Sequence, residues 1–215
     1  MKKIYSLLVG ALFLFASCDD DETITVIYFP DIIEDIVENI LDGNTLGLDF
    51  TIEQSSELVN ESITDPKETY SHTEDIDNEW GNGSSKYTFE YNAQTNEQGI
   101  EFIATASGEY ETTLLTSDDK AENNWNISDI SADSDFYSLS GESTRIGTQY
   151  TKLHEDNFES NVELDFENIE VNRVTGTIKQ GVVSFTFEGV SSTGEAYTST
   201  GKIQYSDYER VITID

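Results

Sequence analysis

Cysteine is nearly absent. Cys18 stands alone in 215 residues, so no disulfide can form within the chain and the fold has to be held by its core. Histidine is almost as scarce. With only His72 and His154, in unrelated polar surroundings, a metal site built on several imidazoles is excluded, and neither lies in a nucleophile motif of the G-x-S-x-G kind. Glycine-rich phosphate loops are missing as well. The shortage with the widest consequence is of basic residues: 11 Lys and Arg stand against 43 Asp and Glu, for a formal charge of −32. A polyanion of this kind repels phosphate backbones and anionic lipid head groups, which speaks against nucleic acid as a partner and against electrostatic docking on a membrane.

Long apolar runs are missing too. The N-terminal one, residues 4–15, follows Lys2 and Lys3 and falls short of the about 20 residues that a spanning helix needs. A positive start, a short apolar stretch and the small residues Ala16 and Ser17 form an export signal that is removed. Phe15-Ala16-Ser17-Cys18 resembles the lipobox of bacterial lipoproteins, departing from it in having Phe15 where leucine is usual. The resemblance implies a signal peptide over residues 1–17, a lipid on Cys18, and a mature chain held to the membrane by that lipid. Asp19, Asp20, Asp21 and Glu22 follow at once. This tract over 18–22 resembles the acidic export signal of some Gram-negative surface lipoproteins, and it also fits a plain solvated tether. The expected location is the cell envelope, anchored in the outer membrane and facing the cell surface.

What is abundant is alternation. Tyr87, Phe89 and Tyr91, then Ile100, Phe102, Ala104 and Ala106, then Val162, Leu164 and Phe166, with Phe158 in the same phase, recur at every second residue, the period of strands with one buried face. The apolar phase switches at Glu167 and Asn168, because Ile169 and Val171 continue on odd positions, and this predicts a bulge with one extra residue. Residues 86–215 therefore read as a mainly β domain, an antiparallel meander forming a sandwich, a curved sheet or a barrel. Polar stretches such as 117–124, and Ser/Thr-Gly steps at Gly108, Gly141, Gly176, Gly194 and Gly201, read as its turns.

Ahead of this lies residues 23–52, read as strand, helix and strand. The 23–29 segment is β-branched and aromatic and stops at Pro30. Residues 31–41 place Ile32, Ile33, Ile36, Val37, Ile40 and Leu41 on one helical face, and Leu46, Leu48, Phe50 and Ile52 alternate. Residues 53–85 read as a polar loop or linker, and 23–215 as one domain.

The acidic residues give the only hints of a cofactor beyond the lipid. Asp75, Asp77 and Glu79 alternate as calcium-loop ligands do, but Gly81 comes one place late and Lys86 holds the closing position, so the EF-hand pattern fails. A looser calcium site there, or at Asp118, Asp119 and Glu122, or at Asp129, Asp133 and Asp135, stands as the alternative to solvated acidic loops. Trp80 and Trp125 lie among polar residues and are expected as exposed aromatic contacts. No catalytic constellation emerges. The expected function is non-enzymatic: a lipid-anchored envelope protein binding a protein partner, a glycan or another envelope component. A lipocalin-like or lipid-transfer-like carrier is the first alternative, and a glycan hydrolase with paired carboxylates the second.

Overall fold

The computed structural model describes residues 29–152 and 155–215, with side chains from 33 onward. The expected strand over 23–29, Cys18, the tract 19–22 and His154 lie outside the described residues, apart from Phe29, which opens a helix.

Nine strands form one antiparallel sheet: β1 (Thr69–Trp80), β2 (Gly83–Asn96), β3 (Gly99–Glu111), β4 (Leu115–Ser128), β5 (Phe136–Thr151), β6 (Asp156–Asn172), β7 (Thr177–Ser191), β8 (Ala196–Ser206) and β9 (Glu209–Ile214). Each pairs with the next in sequence and β1 does not meet β9, so the meander stays open. The alternation read from the sequence sets which side chains point to the inner face. The phase switch is present: Phe166 and Ile169 on β6 stand opposite Gly141 and Leu139 on β5, so the segment between them on β6 carries one extra residue, and Asn168 takes a left-handed backbone there.

Several expected turns are strand interior. Residues 117–124 belong to β4, and Gly108, Gly141 and Gly201 lie within β3, β5 and β8. A polar strand whose alternate residues all meet water looks locally like a turn, because the cross-strand partner that distinguishes the two is remote in sequence.

Two helices cover the inner face. In α1 (Phe29–Leu41) Ile33, Ile36, Val37, Ile40 and Leu41 are buried while Glu34, Asp35 and Glu38 face out, as the periodicity predicts. The chain then turns through a short 3₁₀ segment, Gly43–Thr45, where the Asp42 carboxylate caps the Asn44 N–H at 2.9 Å. It enters α2 (Leu48–Thr64). This helix overturns both the strand expected around Leu48–Ile52 and the loop expected over 53–85, whose remainder holds β1 and the start of β2. Its buried stripe is Leu48, Thr51, Ile52, Ser55, Ser56, Leu58 and Val59. The hydroxyls hide the stripe from a hydropathy reading, yet they are satisfied inside the helix, Ser55 donating to the Ile52 carbonyl at 2.8 Å and Thr51 to that of Gly47 at 3.2 Å.

Between helices and sheet runs a file of aromatic rings. Phe50 meets Phe89 edge-on at 5.0 Å, and Tyr91, Phe102, Trp125 and Phe166 follow at centroid spacings of 5.2, 5.6 and 5.6 Å. Trp125 is thus fully buried, against expectation. Its polar neighbours Asn124 and Asn126 point to the other face of β4, and its indole N–H is satisfied by the Ser143 hydroxyl at 3.0 Å.

Candidate functional site

Farther along the inner face from the rings sits a buried ion pair. Arg145 Nε donates to Asp119 Oδ2 at 2.9 Å and Arg145 Nη2 to Oδ1 at 3.1 Å, with side-chain exposures of 6 and 2 %. The Tyr87 hydroxyl donates to Asp119 Oδ1 at 2.7 Å, Ser117 donates to Oδ2 at 3.1 Å, and Arg145 Nη2 also reaches the Thr45 carbonyl at 2.9 Å. The register makes room for the guanidinium, since Asp119 stands opposite Gly108 on one side and Gly147 on the other. Burial alone would lower the Arg145 pKa, but the Asp119 carboxylate, with Tyr87 and Tyr110, more than offsets this and the net shift is upward. Burial likewise raises Tyr87 and Tyr110. The upward shifts keep Arg145 charged and Tyr87 and Tyr110 protonated near neutral pH, and the cluster ties the 3₁₀ turn to the sheet through the Thr45 carbonyl. The space beside it, bordered by Ile40, Leu46, Leu48, Ala121 and Leu164, is only about 20 Å³, room for at most one water.

An open groove of about 700 Å³ lies elsewhere, where the start of α2, the β6–β7 turn and the β8–β9 hairpin converge. Its floor and walls bring together residues more than 150 positions apart in sequence. Arg210 on β9 donates to Asp49 Oδ2 on α2 at 3.2 Å and to Glu38 Oε2 on α1 at 2.7 Å. Asp42, Phe50 and Glu53 line one side. Burial pushes the Asp49 carboxyl above the usual carboxylate range in spite of the opposing pull of Arg210. Tyr205 lines the groove although the residue as a whole is 6 % exposed, and its hydroxyl is buried beside Arg210. Burial raises its pKa, with Asp49 adding to the rise.

Tyr208 forms the lip. It is 50 % exposed and occupies the second position of the two-residue turn closing β8 and β9, with φ 71° after Asp207 at φ 50°. Glycine or asparagine is usual there, because a bulky side chain crowds the backbone at positive φ. The turn is nonetheless held firmly: Tyr208 N–H donates to the Lys179 carbonyl at 3.1 Å and its Oη accepts from Asn172 Nδ2 at 3.2 Å.

The calcium candidates and tryptophans singled out from the sequence lie away from this groove. Asp75, Asp77 and Glu79 point outward from β1, about 7 Å apart along the strand. Asp75 accepts from Thr88 at 2.8 Å and Asp77 stands 3.7 Å from Lys86. Asp119 points inward while Asp118 and Glu122 point outward. Asp129 accepts from Ser138 at 2.6 Å and Asp135 lies 3.9 Å from Arg173. Among the described residues no three His, Cys, Asp or Glu side chains gather as metal ligands would. Trp80 is half-buried against the backbone of Gly83. Arg145, Tyr205, Tyr208 and Arg210 were not singled out. The one local signal was a tyrosine where a hairpin between two strand patterns calls for glycine. No family model, no curated protein and no solved structure matches this chain.

Proposed function

We propose that this protein is a non-enzymatic, lipid-anchored protein of the bacterial cell envelope, exposed at the surface, and that it binds its ligand in the groove between α2 and the β8–β9 hairpin. One observation carries the reading. The apolar stripe of the inner face is covered by the two helices, while the groove is open, polar and edged by an aromatic side chain. A carrier of apolar ligands needs a large interior cavity, and the space beneath the 3₁₀ turn is a single water in size. A glycan hydrolase needs two carboxylates in one cleft with separated pKa values. Asp42, Asp49 and Glu53 share the groove, but Asp49, whose pKa burial raises, is bonded to Arg210, a cation that favours its charged form.

The anchor is supported by Cys18 following small residues and an apolar run, and the surface location by Asp19, Asp20, Asp21 and Glu22 beside it. The test is protease or antibody labelling of intact cells. Wild type is expected to be membrane-bound and accessible, Cys18→Ala to be released from the membrane, and alanine at 19–22 to leave the chain anchored but shielded. A Cys18→Ala variant that stays in the membrane would sink the anchor, and a shielded wild type would sink the surface location.

A further inference from the structure

Resting on the assignment of the groove as the binding surface, we propose that its ligand is a neutral saccharide, with one sugar ring stacked on Tyr208 and its hydroxyls bonded by Asp49 and Arg210. Charge narrows the class first. Asp42, Asp49 and Glu53 line the groove and repel phosphorylated or uronic-acid ligands. Arg210 already neutralises Asp49 and Glu38, so a lysine or arginine side chain would compete with it for Asp49, whereas a neutral ligand meets neither repulsion nor that competition. The polar groups then ask for hydroxyls. Asp49 uses one oxygen on Arg210. A sugar hydroxyl both donates and accepts, so adjacent hydroxyls match a carboxylate beside a guanidinium. An apolar ligand would leave both unmatched, and the Phe50 ring is already packed on Phe89.

Tyr208 supplies the flat apolar surface. Its backbone lies in a region that disfavours bulky residues, and half of its surface remains in water, so burial within the fold does not compensate the strain. Strain of this kind persists where a site uses it. Glycine would suit the turn better and remove the platform. Stability and binding therefore shift in opposite directions on substitution, which a purely structural tyrosine would not produce.

The experiment takes the full lipidated chain purified in detergent. Binding is measured by calorimetry against neutral oligosaccharides of glucose, mannose, galactose and N-acetylglucosamine, against uronic-acid oligomers and against oligolysine, alongside thermal melts. Wild type should bind at least one neutral oligosaccharide. Tyr208→Gly should melt at a higher temperature than wild type yet bind at least ten-fold more weakly, and Tyr208→Phe should keep most of the affinity. Preference for oligolysine or uronate, weakened by Tyr208→Gly, would overturn the saccharide while leaving the groove as the binding surface. Neutral-sugar binding that Tyr208→Gly leaves unchanged would overturn the groove itself, and failure of wild type to bind any neutral oligosaccharide would overturn the inference.

Discussion

Asp119 and Arg145 are where a single side chain matters most to the fold. Two charges taken out of water are tolerable only as a pair, and here the pair is bidentate and further bonded by Tyr87, Ser117 and the Thr45 carbonyl. Asp119→Ala should therefore lose about 3–5 kcal/mol, since it leaves a buried guanidinium uncompensated. The double change Asp119→Leu with Arg145→Met should recover most of that. Urea unfolding of the three variants checks both, and a single variant within about 1 kcal/mol of wild type would mean the cluster is hydrated in solution. Part of this site was legible. Once residues 115–127 are taken as a strand, Asp119 shares a face with Leu115, Trp125 and Ile127. Its partner was not legible, because Arg145 lies one strand away and only the pairing of Ala121 with Arg145 places it there.

At the scale of elements, α1 was readable and α2 was not, and the difference lies in their stripes. The buried side of α1 is aliphatic throughout, whereas that of α2 has Thr51, Ser55 and Ser56 where a hydropathy pattern expects aliphatics. Ser55 and Ser56 meet the Tyr137 hydroxyl at 2.7 and 3.0 Å, which joins the middle of α2 to β5. Burial pushes the Tyr137 pKa up to about 12, so the hydroxyl keeps its proton throughout the physiological range. Tyr137→Phe should cost about 1 kcal/mol, the net worth of a buried hydrogen bond, as read from the urea midpoint at unchanged slope. A larger loss with an altered slope would mean that the hydroxyl organises the helix as well.

The β1 edge carries a different burden. Its outward side chains include Asp75, Asp77 and Glu79, and charge along an unpaired edge deters pairing with a second copy. Changing these three to threonine should raise self-association over wild type, measured by light scattering at matched concentration. Unchanged scattering would show that twist or a covering segment protects the edge instead.

For the molecule as a whole, a charge of −32 sets the terms of stability. On the outer face a row across the sheet reads Thr73, Glu90, Thr105, Glu122, Thr144, Glu163 and Thr186 by strand pairing, so threonines separate the acids. Thr105 donates to Glu90 at 3.2 Å. The residual repulsion between like charges remains long-ranged and is screened by salt over a Debye length that shrinks from about 30 Å at 0.01 M to about 3 Å at 1 M. The melting temperature should rise as sodium chloride is added across that range, and a flat or falling profile would show that local pairs such as Arg210 with Glu38 and Asp49 outweigh the net charge. The sequence by itself determined what neighbours along the chain can encode. Those features are the acidic composition, the period-2 strands, the bulge after Phe166 and the first amphipathic helix. Only the tertiary structure decided that residues 48–64 coil as a helix, that Trp125 is core, and that Asp49, Tyr205, Tyr208 and Arg210 share one groove. Periodicity reports a residue's own face, whereas these outcomes depend on strand register and on partners distant in sequence, which no local pattern carries.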